Sequence, residues 1–275
     1  MIVVSGSTGR LGGRVARRLA GAGVPQRLLV RDPARAPRLP GAEVVAADYG
    51  DAVALRSALA GASTVLMVSA SESPDRVDRH RTFADAAAAT GVRHLLYTSF
   101  LNAAPDATFT LARDHWATEE HIRALGLPFT FLRDGLYADF LPMMAGEDGV
   151  IRGPAGDGRV SVVAQDDIAD AAAAVLRDPG AHAGATYDLT GPAALTFAEM
   201  AVIVTEVTGR PVRFENETLD QAYASRAGYG APDWQVDAWV STYTAAAAGE
   251  LDTVGGDVER LTGRPARSLA DLLRE

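Results

Sequence analysis

The chain has 275 residues, 48% hydrophobic and 22% charged, the balance of a soluble globule large enough for a full core. Its formal net charge of −9 argues against a nucleic-acid partner, which would need a basic face to neutralise phosphates. There is no cysteine, and all 26 basic residues are arginine, so disulfides, thiolate nucleophiles, Cys-ligated zinc, a Walker-type phosphate lysine, a Schiff-base lysine and a Tyr-x-x-x-Lys pair are excluded.

The apolar run Ile2 to Val4 predicts a buried strand that stops at Gly6. From Leu11 the apolar spacing turns helical, through Val15 and Leu19. Strand, glycine turn, helix is the order that sets backbone N–H groups and a helix N-terminus against a pyrophosphate. Gly6, Ser7, Thr8, Gly9, Arg10, Leu11 and Gly12 are therefore candidate cofactor-binding residues. In that role Gly6 permits the tight turn, Gly9 the close approach of the phosphates, and Gly12 the close packing of helix on sheet. The spacing is Gly-x-x-Gly-x-x-Gly, and the rival reading is a βα turn that binds nothing. An apolar strand beginning at residue 2 also leads us to expect no leader peptide and a cytoplasmic protein. No apolar run approaches the ~20 residues that span a bilayer, so no membrane partner is expected.

Further strands are predicted over 27–30, 43–47, 64–69, 92–99 and 129–133. Helices are predicted between them, one capped by Asp51 over Leu55 to Ala62, then 77–90 and 111–125, the last stopped by Gly126. Apolar strands without alternation, separated by helices, predict an α/β fold with a Rossmann-type, doubly wound parallel sheet covered on both faces. Past Gly135 the rhythm changes. Gly149, Gly153, Gly156 and Gly158 suggest a hairpin region, followed by a helix over 168–176 capped by Asp166 or Asp167. A strand over 186–189 and a helix over 197–207 capped by Thr196 come next. Residues 1–134 read as the nucleotide-binding core. Residues 135–275 read as a smaller, mostly helical lobe on the substrate side, some of whose elements return to the core.

Arg31 ends the second strand, where NAD-specific sites usually carry an acid for the ribose hydroxyls. A guanidinium there suits the 2′-phosphate of NADP(H), a charge-assisted contact of about 1.5–3 kcal/mol. Asp32 beside it could instead be the ribose acid, with Arg31 in solvent. Asp48 and Tyr49 close the third strand, where Asp48 could reach the adenine edge or only form a turn. Ser69, Ala70 and Ser71 follow the fourth strand, and Thr98 and Ser99 end the fifth, at the carboxyl edge where such sheets bind ligands. His115 shares a helix face with Leu111, Thr118, Glu119 and Ile122, which fits either a site residue or a core histidine paired with Glu119. His80, His94, His121 and His182 have no metal-ligand spacing, so no metal is expected. Arg133, Tyr137 and Phe140 run from a strand into a helix on the cofactor side. They could line the substrate cleft, or be an Arg–Asp pair with two packed aromatics.

The glycine turn, Val30-Arg31-Asp-Pro, Ala47-Asp48-Tyr49-Gly50-Asp51, Tyr97-Thr98-Ser99, the stretch Leu111 to Glu119 and the segment Phe129 to Phe140 together resemble the NmrA-like, atypical branch of the short-chain dehydrogenases/reductases. The likeness continues through Tyr187-Asp-Leu-Thr-Gly191 and Leu195-Thr-Phe-Ala-Glu199, nearly the whole chain. Within that branch it is most similar to bacterial type 2 NADPH:quinone oxidoreductases and triphenylmethane-dye reductases, which also put histidine where many relatives put a catalytic lysine. The resemblance implies NADP(H) binding through Gly6, Gly9, Gly12 and Arg31. It also implies a site role for His115, which would orient the nicotinamide or acceptor; Tyr137 is the second catalytic candidate and, with Phe140, would shape the cleft.

Chemistry narrows the acceptor. Hydride added to an ordinary ketone leaves a strongly basic alkoxide that needs a proton donor, the task of the absent Tyr-x-x-x-Lys pair. Hydride added to a quinone leaves a phenolate-like anion, whose conjugate acid has a pKa near the ~10 of tyrosine. A cationic triarylmethyl carbon needs no proton at all. The expected activity is NADPH-dependent hydride transfer to a small-molecule acceptor, a quinone or a dye-like conjugated compound. The rival is a non-catalytic, NADP(H)-sensing regulator acting through a protein partner. The oligomeric state is open, a homodimer included.

Overall fold

A computed structural model describes residues 1–275. The first half alternates strand and helix: β1 (Ile2–Ser5), α1 (Arg10–Gly21), β2 (Gln26–Val30), β3 (Ala42–Ala46), α2 (Ala52–Leu59), β4 (Thr64–Met67), α3 (Arg76–Ala89), β5 (His94–Phe100), α4 (Thr110–Ala124) and β6 (Phe129–Asp134). The second half is less regular: α5 (Leu141–Met144), β7 (Val150–Gly153), β8 (Arg159–Val160), α6 (Gln165–Arg177), β9 (Ala185–Leu189), β10 (Leu195–Thr196), α7 (Phe197–Thr208), β11 (Arg213–Asn216), α8 (Leu219–Arg226), α9 (Asp233–Ala247), α10 (Asp257–Thr262) and α11 (Leu269–Arg274). Seven strands form one parallel sheet in the order β3-β2-β1-β4-β5-β6-β9. The order reverses at β1, and the crevice beside that switch point is where such sheets bind ligands. No helix is long and apolar enough to cross a membrane.

The unbroken apolar strands have a direct reason. Successive side chains point to opposite faces, and both faces are covered. Val4, Leu28, Leu66, Leu96 and Leu132 meet α1 and α6 in one core. Val3, Leu29, Val65, Leu95 and Phe131 meet residues of α2, α3 and α4 in the other. A third core, which includes Ile151, Phe197, Met200 and Tyr243, is built mostly by the second half of the chain, joined by Phe100 and Phe109 from the first. Residues beyond 134 also complete the sheet: α6 packs on α1, and β9 pairs with β6 from Thr130↔Ala185 to Asp134↔Leu189.

Two local expectations are corrected. The glycines from 149 to 158 do not make a hairpin, because β7 pairs in parallel with β11, and β8 pairs antiparallel with β10. Gly149, Gly153 and Gly158 serve close packing instead, whereas a Cβ on Gly156 would meet nothing. A Cβ on Gly153 would lie 2.3 Å from the Tyr243 ring, and one on Gly158 would lie 2.3 Å from the Ala246 carbonyl oxygen. Nor does Asp166 or Asp167 cap α6. Its N-cap is Ala164, and Asp139 accepts from the Gln165 N–H at 2.8 Å, leaving the two candidate acids to bind arginines. Asp51 does cap α2, and Thr196 caps α7 in a full capping box.

The turn from β1 to α1 requires its glycines in two ways. Gly6 has φ +61°, a left-handed conformation that favours glycine. A Cβ on Gly12 would stand 2.5 Å from the Gly6 carbonyl oxygen and 2.6 Å from that of Ser5, whereas Gly21 of the same helix faces open space. Gly12→Ala should therefore destabilise the protein by about 1–3 kcal/mol, while Gly21→Ala should stabilise it by roughly 0.5–1 kcal/mol. Urea unfolding of both variants checks the pair, and equal effects would mean that helix and strand are not in close contact.

Candidate functional site

The carboxyl ends of β1, β2 and β4, with the segment after β3, surround a cavity of about 380 Å³. Its lining includes Gly6, Thr8, Gly9, Arg31, Asp48, Tyr49, Ser69, Ala70 and Ser71 from the sequence-derived set. It also includes Val68, Glu72, Ser73 and Arg79, which the sequence reading missed. Outside the lining stand Ser7, Arg10, Leu11, Gly12, Thr98, Ser99, His115, Arg133, Tyr137 and Phe140.

The floor is the glycine turn. Gly9 is the N-cap of α1, in extended conformation; no side chain caps the helix, and its first turn carries no acid. Its N-terminal N–H groups thus present an uncompensated positive end. The Ser7 hydroxyl is buried within the same turn and has no hydrogen-bond partner. An unpaired buried hydroxyl costs about 1–3 kcal/mol, and a phosphate oxygen would satisfy it. The residues present therefore fit a dinucleotide pyrophosphate.

Arg31 stands exposed at the far wall and makes no ion pair. Asp32 is turned away, its carboxylate accepting from the Ala34 N–H at 3.0 Å. Asp32 does not line the cavity, whereas Arg31 does. Asp48 is also engaged, accepting from Gly50 N–H at 2.9 Å and from Arg79 at 3.1 Å. Arg35 and Arg38 lie off the lining.

The wall after β4 is a loop held by side chains. Val68 N–H donates to Ser5 Oγ at 2.9 Å, and Tyr49 O–H donates to the Val68 carbonyl at 2.7 Å. Ser69 N–H donates to Thr98 Oγ1 at 2.8 Å, and Ala70 N–H to His80 Nε2 at 2.8 Å. Arg76 Nε then donates to the Ala70 carbonyl at 2.9 Å. Thr98 acts on the pocket through this loop. Tyr49 contributes its ring, because its hydroxyl is committed.

Behind the loop lies a buried polar cluster. Arg76, 5% exposed, donates to His115 Nε2 at 2.9 Å and pairs with Asp114 at 3.4 Å. An arginine nitrogen can only donate, so His115 Nε2 accepts and its proton sits on Nδ1, 2.9 Å from the Tyr97 hydroxyl. Burial, and then the Arg76 charge, hold His115 well below the ordinary histidine range. His80 is lowered to about 3 for the same two reasons. His115 does not pair with Glu119. That buried carboxylate instead accepts from Ser99 Oγ at 2.6 Å and binds Arg133 at 2.6 Å and Arg123 at 3.1 Å. The pairing suggested for Arg133 with an aspartate is thus one with Glu119. Phe140 lies under the Arg10 guanidinium, 5.2 Å from its ring centroid, and 5.6 Å from the Tyr137 ring. Tyr137 O–H donates to Asp134 Oδ2 at 2.7 Å, and burial pushes the Asp134 carboxyl up to about 7.

The cluster left a readable trace. Arg76, His80, Phe83 and Ala87 share one helical face of α3, so the apolar stripe from Phe83 onward extends back through two polar residues. Polar residues on an inward face mark a buried network, and that signal was available in the sequence.

The family model described as NmrA-like matches residues 1–230. A (4-alkanoyl-5-oxo-2,5-dihydrofuran-3-yl)methyl phosphate reductase of Streptomyces griseus is 39% identical, over 98% of this chain and 96% of that protein. The structure of the NADPH-dependent quinone oxidoreductase 2 of Escherichia coli, complexed with NADPH, is 35% identical with a TM-score of 0.91, over 99% of this chain and 98% of that one. The triphenylmethane reductase of Citrobacter sp., complexed with NADP(H), is 32% identical with a TM-score of 0.88, over 100% and 99%.

Asp134 gives a pH prediction of definite sign. Between the ordinary aspartate value of ~3.9 and about 7, the folded chain holds a proton there that the unfolded chain has lost. That contribution to stability is full at low pH and is lost as pH rises through 7. Asp134→Asn cannot ionise, so its stability relative to the parent should rise between pH 5 and pH 8, as urea midpoints at both pH values would read. An unchanged difference would place Asp134 near the ordinary range.

Proposed function

That this chain belongs to the NmrA-like family is the premise from which we propose that it is an NADPH-dependent oxidoreductase, reducing a quinone or similarly conjugated small molecule without flavin or metal. The observation that carries the proposal is the pairing of an uncapped glycine turn, with its orphaned Ser7 hydroxyl, and an unpaired arginine at the end of β2. The three relatives described above are reductases by name, and two of their structures hold NADPH or NADP(H). Those names favour catalysis over a sensing role.

In this reading the N–H groups from Gly6 to Gly12 and the Ser7 hydroxyl hold the pyrophosphate. Arg31 takes the 2′-phosphate through its forked donors. Val68 to Ser71 wall the cofactor, held in place by Ser5, Thr98, His80 and Arg76. Bound there, the cofactor supplies a hydride. Tyr137 and Phe140 border the cleft on the acceptor side, and Arg133 supports it through Glu119. His115, with both ring nitrogens bonded, acts by holding Arg76 against the Ala70 loop. Positioning of acceptor over cofactor and exclusion of water are the main catalytic effects, as expected for an acceptor that is already electrophilic.

The direct test mixes the protein with NADPH and 1,4-benzoquinone and follows cofactor absorbance against a protein-free control. Absence of enzyme-dependent oxidation across quinones and conjugated enones would end the proposal. The cofactor preference has its own test. Arg31→Ala should weaken NADPH binding about tenfold to a hundredfold, the equivalent of one lost charge-assisted bond, and should change NADH binding far less. Equal losses for both cofactors would show that Arg31 does not meet the 2′-phosphate.

A further inference from the structure

The end of β6 carries a pair that the cofactor pocket does not use. Asp134 is 3% exposed, at the carboxyl end of the strand next to the sheet's edge and in register with Phe100 and Leu189 on its two neighbours. Its Oδ2 accepts from the Tyr137 hydroxyl at 2.7 Å, and that hydroxyl has no other protein partner. Tyr137 is partly exposed and packs on the same core as Val68 of the pocket lining. Its ring meets Phe140, which in turn lies beneath Arg10 of the glycine turn. The pair thus joins a buried carboxyl to a partly exposed phenol beside the glycine turn.

Resting on the reductase reading, we propose that Asp134 and Tyr137 form a two-residue proton relay to the acceptor oxygen, so that the site favours quinones and conjugated enones, which become oxyanions on reduction, over cationic carbon acceptors. In the loaded state the carboxylic acid donates to the Tyr137 oxygen, and the phenol O–H points into the cleft. The acceptor gains a hydride, with its two electrons, from the reduced cofactor, which is left oxidised. The charged oxygen takes the Tyr137 proton while Tyr137 takes that of Asp134. One O–H bond forms on the product and one breaks at Asp134. The end state is a carboxylate receiving the Tyr137 O–H, the arrangement in the structure, and water restores the proton. The charged and titratable groups bearing on Asp134 are Tyr137, Arg76 from α3 and Tyr97 from β5; Asp139 bears on Tyr137. The shift of Asp134 to about 7 puts this acid in a range where it both holds and releases a proton.

The test is the pH dependence of kcat with 1,4-benzoquinone, from pH 5.5 to 9, for the parent, Asp134→Asn, Tyr137→Phe and the double variant. The parent should lose activity as pH rises through an inflection near 7. Each single variant should be roughly tenfold to a hundredfold slower at pH 6, toward the lower end of general-acid effects, with a flat profile. The double variant should be no slower than either single, because both break one relay. Melting temperature and NADPH titration of each variant report whether it is folded. If Asp134→Asn does not fold, loss of the inflection in Tyr137→Phe decides the matter. An inflection that survives in either folded variant, or single losses that multiply in the double, would overturn the relay while leaving the reductase reading in place. A parent that binds NADPH but reduces no quinone or enone would overturn both.

Discussion

The site depends on one buried guanidinium. Taking the charge of Arg76 out of water costs several kcal/mol unless good hydrogen bonds replace the solvent. Here the Ala70 carbonyl in the loop after β4, and Asp114 and His115 Nε2 on α4, replace it. One side chain therefore fixes the loop after β4 relative to α4. It also sets the proton on His115 Nδ1, which fixes the contact with Tyr97, and it disfavours a positive charge on either neighbouring histidine. The wall of the pocket is rigid because its backbone groups, which could pair with no strand, are paired with buried side chains instead.

A second set of arginines ties α6 to α1 and to the C-terminal segment. Arg14 and Arg18 of α1 reach Asp139, Asp166 and Asp170, while Arg264 and Arg267 converge on Asp167, a fully buried carboxylate at the start of α6. Isolated exposed pairs of this kind contribute little, but a buried acid that lost its partners would be left uncompensated. The forked guanidinium suits the task, since one arginine can bridge two carboxylates where a lysine offers a single point of charge. Asp139 lies between Tyr137 and Phe140, and it holds both Arg14 and the first N–H of α6. Tyr137 and Phe140 are thereby anchored to the helix that starts at the glycine turn.

The sheet was legible in the sequence because two-sided burial leaves apolar runs without alternation, and such runs need no tertiary knowledge to recognise. The glycine turn and the cap at Asp51 were legible because their chemistry is local. The later glycines were not. Gly149, Gly153 and Gly158 look like turn residues, but two of them are small because Tyr243 and Ala246, far along the chain, pack against them. The same limit applied to Glu119. Sequence spacing offered His115 four residues back, but the fold brought Arg133 from the adjacent strand, and a full charge is a better partner for a buried carboxylate than a neutral imidazole. Arg79 and Glu72 entered the pocket lining only through the path of the loop, which no pattern in the sequence fixes.

The absence of lysine acquires its full meaning from this arrangement. An arginine keeps its protons at any physiological pH, so the three guanidiniums near the cleft, Arg76, Arg133 and Arg10, can stabilise an anion but cannot protonate it. His115 and His80 are neutral, and each has both ring nitrogens occupied by Arg76, Tyr97, Ala70 or Thr118. Tyr97 is raised above the ordinary tyrosine range by burial, and its oxygen is held by His115. Asp114 is raised too, but Arg76 draws it toward the ionised form. Among the groups of this interior, Asp134 alone combines burial that favours the protonated form with a hydrogen bond to a partly exposed tyrosine, Tyr137. Chemistry that needed a strong base or a mobile ammonium would find none here. In the reading proposed above, hydride goes to an acceptor already electrophilic, and the one proton it needs would come from this weak acid.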